Sequence, residues 1–229
     1  MKTNVLQKIL TAGISGGLLI SLFLLQGCNT DEDKKREFSV QVFNLTSNQP
    51  FSPLAGLLHD ESYSAYSLGE PASLALETLA EAGDNSLLTD DEELAQSKSG
   101  KKLLSPGKSE TLKLKSKNGE TRFTLLTMPV HTNDAFVGLN SIDLSELQID
   151  ESLMLYARIY DAGTEANTEA AAYVPGQGGE GFNAARDDRD FIVVHPGIVS
   201  QDDGLATSAL NASHKFDNPG AKVIITRTK

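Results

Sequence analysis

Apolar and polar residues alternate over several short stretches of this chain. Phe38, Val40 and Val42 share one side of segment 38–45. Leu112 and Leu114 alternate with lysines over 111–117, and Leu153, Leu155, Ala157 and Ile159 mark one side of 153–160. Val223 and Ile225 do the same over 222–228. A period of two predicts half-buried β-strands. Apolar runs at 122–130 and 191–194 predict further strands, and 101–104 a short one. Asn118-Gly119 predicts a hairpin joining 111–117 to 122–130, and 137–147 reads as irregular. Only 70–82 has a helical pattern. Leu74, Leu76, Leu79 and Ala80 form its apolar side, Pro71 suits the first turn, and Gly83 suits the stop. The segment 166–190, rich in glycine, alanine and polar residues, predicts a long loop. Together these elements predict an all-β fold, an antiparallel β-sandwich with one short helix (about 70–82) packed on it.

The N-terminal region reads differently. Lys2 and Lys8 precede an apolar stretch over 9–25, and Gln26-Gly27 leads to Cys28, the single cysteine. This order of basic, apolar and small residues is a leader, and Leu25-Gln26-Gly27-Cys28 looks like a bacterial lipoprotein signal. The expected organisation is a signal peptide over 1–27, a tether over 28–37 and one domain over 38–229. Cys28 is the expected lipidation site and holds the chain to a membrane. Asn29 after it resembles the sorting signal for the outer membrane, so the expected location is the bacterial cell envelope. An uncleaved anchor is the competing reading, set against Gly13, Gly16 and Gly17 inside the stretch.

Charge narrows the partners. The formal charge is −11, and loss of Lys2 and Lys8 with the leader makes the remainder more negative. That disfavours nucleic acid, which requires a basic face. It suits a chain that attracts divalent cations.

The acids that stand out follow strand patterns. After 153–160 come Asp161 and Glu165, with Gly163 between them. A chain bending back at Gly163 would aim both carboxylates at one point, and hard oxygen ligands on a loop suit calcium. A solvated acidic turn remains the other reading of these residues. Asp134, in Thr132-Asn133-Asp134, similarly follows the 122–130 run. Other motifs fall away. Gly13-Ile14-Ser15-Gly16-Gly17 matches a nucleophile elbow but lies in the leader. Gly176-Gln177-Gly178-Gly179-Glu180-Gly181 lacks the strand–helix context of a dinucleotide site. Read as an EF-hand, Asp161 would place Ala166 where glycine belongs and Ala172 where glutamate belongs. His59, His131, His195 and His214 lack zinc spacing. Asp187, Asp188 and Asp190, interleaved with Arg186 and Arg189, read as a charge cluster or a second cation site. No acid–base or nucleophilic set is assembled, so no catalytic residue is expected and the chain does not read as an enzyme.

Further segments carry a resemblance. They are Phe38-Ser39-Val40-Gln41-Val42-Phe43-Asn44, Gln49-Pro50-Phe51-Ser52-Pro53, Gly69-Glu70-Pro71-Ala72, Thr132-Asn133-Asp134, Asp161-Ala162-Gly163-Thr164-Glu165, His195-Pro196-Gly197-Ile198 and Asp217-Asn218-Pro219. With these the chain resembles the spondin domain of the matrix proteins F-spondin and mindin, also found in bacterial lipoproteins. The resemblance implies a β-sandwich similar in build to C2 domains. It also implies one calcium ion (Ca2+) held by Asp134, Asp161 and Glu165, the last standing where animal domains have aspartate. The function it implies is an adhesion or binding module with a protein or glycan ligand. The alternatives are a metal-free structural or docking subunit of an envelope complex, or a periplasmic hydrolase using His131 or His195.

Overall fold

β1 (Glu37–Asn44) buries every second residue, with Phe38, Val40 and Val42 inside. It is flanked on one side by β4 (Ser109–Lys115) and on the other by β9 (Ala221–Arg227), both antiparallel. β9 in turn pairs with the first part of β7 (Ser152–Asp161). These four strands form the first layer of a sandwich, as the alternation predicted. The computed structural model describes residues 35–91 and 94–229. Cys28, the leader and most of the tether lie outside them.

The second layer runs β3 (Gln96–Ser99), β2 (Ala55–His59), β5 (Arg122–Thr127), β6 (Ala135–Asp143) and the last part of β7, all antiparallel. β7 is therefore shared. Residues 152–157 pair with β9, and residues 158–161 pair with β6. At the far edge the backbone N–H of Lys115 in β4 bonds the side chain of Gln96 in β3, so the sheet nearly closes on itself. Phe38, Val40, Phe51, Leu58, Phe123, Val137, Ile159 and Val223 fill the space between the layers. Full burial of such a side chain contributes roughly 1.5–3 kcal/mol.

The second layer is covered on its outer face too. α1 (Leu74–Ala82) lays Leu76, Leu79 and Ala80 on Ala55, Leu57, Leu126 and Phe136. Its boundaries follow from its caps. The Ser73 hydroxyl accepts from Leu76 N at 3.2 Å, and Gly83 takes φ 68° so that its N–H reaches Leu79 O at 2.8 Å. The helix thus starts after Pro71 rather than at residue 70. A short α2 (Ser86–Thr89) follows, and Leu88 joins the same cluster.

Three expectations are corrected. Asn118-Gly119 makes no hairpin: β4 pairs with β1 and β5 with β2 and β6, so the turn carries the chain from one layer to the other. Most of the stretch read as irregular belongs to β6, whose Ala135, Phe136, Val137 and Gly138 are all buried. In place of a strand over 101–104 there is one bridge from Leu104 to Phe51, and β3 lies earlier. The long excursion after β7 holds short 3-10 turns at Ala171–Tyr173 and Pro175–Gln177. It returns through the two-residue β8 (Val193–Val194), which pairs with the end of β7. Among the described residues no helix is long and apolar enough to cross a membrane.

Candidate cation site

The register of β6 and β7 brings the two predicted aspartates together. Asp161, the last residue of β7, lies opposite Ala135, the first of β6, and Ala162 N donates to Asp134 O at 3.0 Å. Both aspartates are fully buried. The chain then folds back at Gly163, whose φ of 73° favours glycine. Gly163 N donates to Asp161 Oδ1 at 2.8 Å, closing a turn through the aspartate side chain. Next, Thr164 N and Glu165 N both donate to Asp134 Oδ2, at 2.8 and 3.1 Å. Asn167 Nδ2 donates to Asp161 Oδ2 at 2.7 Å.

Glu165 is buried as well, but its carboxylate faces another group of acids. Burial pushes it up to about 8, helped first by Glu81, then by Asp134, Asp187 and Glu77. Glu77 and Glu81 stand one turn apart on α1, and both are buried. Arg186 holds Glu77 with two bonds, Nε to Oε1 at 3.1 Å and Nη2 to Oε2 at 2.5 Å. Asp134 is pushed up by burial and by the Asp161 carboxylate beside it. Glu169 is pushed up to about 7, chiefly by burial.

Burial is the leading cause of these shifts, and neighbouring carboxylates add to it. Arg189 Nη2 stands 3.8 Å from Asp161 Oδ2 but is also bound to Asp188. Five buried oxygens find no hydrogen-bond partner among the described residues: Asn133 Oδ1, Asp134 Oδ1, Asn167 Oδ1, Glu169 Oε2 and Glu81 Oε1. Each such atom normally costs stability unless a donor or cation meets it. As a donor set they suit a hard cation, which takes oxygen ligands from carboxylates and amides alike. Carboxylates alone do not complete a site: among the described residues no three His, Cys, Asp or Glu side chains are grouped so as to hold an ion. Asn133, Asn167 and Glu169 would have to join Asp134 and Asp161, with Glu165 reached from its own side.

Asn133, Asn167, Glu169 and the Glu77–Glu81 pair are not among the residues expected from the strand patterns. A signal existed for the last. Glu77 and Glu81 are four apart, beside Leu76 and Ala80 on the helix side that packs inward. The 186–190 cluster resolves into pairs, Arg186 with Asp190 and Arg189 with Asp188. Asp187 Oδ1 accepts from Ala166 N at 2.8 Å.

The histidines occupy three places, His131 and His214 sharing one. His195 is buried, and Gly197 N donates to its Nδ1 at 3.0 Å, which puts the neutral ring's proton on Nε2. Burial pushes its pKa down, against the pull of Asp161. His131 packs edge-on against His214 with centroids 4.7 Å apart. His59 bonds Thr124 Oγ1 at 2.9 Å.

The fold is a layered antiparallel β structure with buried acids gathered where β6 begins and β7 ends. The profile of the family described as Spondin_N matches residues 34–177, more than half of the chain, and the chain belongs to that family. No curated protein matches it. The matched region ends before β9, yet β9 lies between β7 and β1, so the fold extends past it.

Proposed function

We propose that the chain is a lipid-anchored, calcium-binding adhesion module of the bacterial cell envelope, held at the outer membrane through Cys28. What supports the cation is the set of buried oxygens without a partner at Asp134, at Asn133 beside it in sequence, and at Asn167 and Glu169 on the loop after Asp161. Asp134, Asp161 and Glu165 would hold the ion, with Asn133, Asn167 and Glu169 as further oxygen donors. Bound calcium would supply the positive charge that these loops lack. The residues themselves fix the 161–167 loop against the start of β6 and order the rim that meets a protein or glycan ligand. The role is binding, not catalysis.

The test is thermal unfolding with and without calcium. A ligand that binds only the folded state stabilises it by about 2.7 kcal/mol at a hundredfold excess over Kd. The expected result is a rise in Tm with calcium that Asp161→Asn abolishes. An unchanged Tm at millimolar calcium would reject the cation.

One observation favours a second reading, a docking domain without metal. Arg189 and the Asn167 amide already meet Asp161, and Thr164 and Glu165 already meet Asp134. On that reading Arg189→Ala lowers Tm sharply and calcium does not restore it.

A further inference from the structure

The face of β4, β1, β9 and β7 turned away from the core has a composition unlike the rest of the chain. Register places Tyr156, Lys222, Phe43 and Ser109 in one row across the four strands. The next row holds Met154, Ile224, Gln41 and Thr111, and the third Ser152, Thr226, Ser39 and Lys113. Met154 and Tyr156 are 56% and 54% exposed. Lys222 Nζ lies 4.2 Å from the centroid of the Phe43 ring. Arg158 continues the β7 side of the face. The one carboxylate on it, Glu37, is bound by Lys115 at 2.8 Å.

The sign of charge is therefore reversed locally. The chain carries 31 acidic against 20 basic residues. This face carries Lys113, Lys222 and Arg158 beside Met154, Tyr156 and Ile224, while Glu37 and Lys115 cancel each other. An apolar and aromatic centre edged by lysine and arginine is the make-up of a surface that rests in a bilayer interface. Anionic headgroups attract such a cationic edge, while the acidic remainder of the molecule is repelled.

We propose that this sheet face lies flat against an anionic lipid surface. The inference rests on the lipid-anchor reading. Eight residues lie between Cys28 and the start of β1 at Glu37, a reach of at most about 30 Å. β1 is itself a strand of this face, so a chain held at Cys28 keeps the face within reach of the membrane. α1 and α2 cover the opposite side of the sandwich and turn away from it.

The experiment uses the full chain carrying its own N-terminal processing, reconstituted into vesicles of phosphatidylcholine alone or mixed with phosphatidylglycerol. A polarity-sensitive dye is attached at Met154→Cys, or at Leu87→Cys on α2 as the control. Cys28 is the only native cysteine, so lipidation leaves the introduced thiol as the sole site of labelling. The expected result is a blue shift and lipid-borne quenching at position 154 in anionic vesicles, neither of them at position 87. Lys222→Glu combined with Arg158→Glu should abolish both effects while the chain still sediments with the vesicles. High salt should weaken them, as the screening length falls to about 3 Å at 1 M. A chain that sediments with anionic vesicles while position 154 stays as wet as position 87 overturns the docking face and leaves the anchor standing. A chain that stays in the supernatant overturns both.

Discussion

Thr164 N donates to Asp134 Oδ2 at 2.8 Å, and through that bond the loop after β7 is fixed to the residue just ahead of β6. Glu165 N shares the same acceptor at 3.1 Å. One carboxylate oxygen thus organises two segments some thirty residues apart in sequence.

Asp134→Ala should therefore unfold the loop's attachment. It removes the acceptor for two buried N–H groups, each costing about 1–3 kcal/mol when left without a partner. The expected loss is about 2–4 kcal/mol, read as a lower midpoint in urea unfolding. Asp134→Asn keeps one oxygen acceptor and should lose less.

In calcium-free buffer, stability should fall as pH rises from about 6.5 to 8.5. The sign follows from Glu165, pushed up to about 8, and Glu169, pushed up to about 7. A group with a raised folded pKa contributes stability fully below its unfolded value and loses it as pH climbs through the folded one. His195, pushed down, acts the other way, but its window lies below about 6.5. Melting curves across this range should slope downward for the native chain and more weakly for Glu165→Gln. Saturating calcium should flatten the slope, because the ion takes the place of the bound protons.

Arg186→Ala should cost about 3–5 kcal/mol, the usual penalty for stripping the partner from a buried charge. Glu77 is the charge left behind, at 3% exposure, and Ala72 O loses its donor as well. Glu77→Gln in the same background should recover part of the loss. Urea unfolding of the single and double variants measures the coupling.

Gly163→Ala tests the fold-back of the site loop. A methyl group there would stand 2.4 Å from Phe191 O, at a φ where alanine is strained. A loss above about 1 kcal/mol is expected, together with weaker calcium binding by calorimetry.

What the sequence disclosed tracks which sheet faces are wet. β1, β4, β7 and β9 have one face turned to solvent, so their apolar residues alternate and their positions were legible. β2 and β6 lie between the inter-sheet core and the layer under α1. Leu58 faces one core and Leu57 the other, which erases the alternation. The hairpin misreading has the same root, since a turn signal says nothing of which layer the next strand joins. At the site, Asp134 and Asp161 were legible because each lies beside a strand end. Asn133, Asn167 and Glu169 were not, since an amide or acid in a long loop has no period to reveal its burial.

β9 fills the gap between β1 and β7 although about 180 residues separate it from β1. As the chain emerges from its N-terminal end, the first of these strands waits, one edge bare, until the last has emerged. Folding of the first layer is thereby postponed until residues 221–227 are available. Nascent chains halted after residue 177 should leave β1 open to protease, and chains extended through residue 229 should protect it.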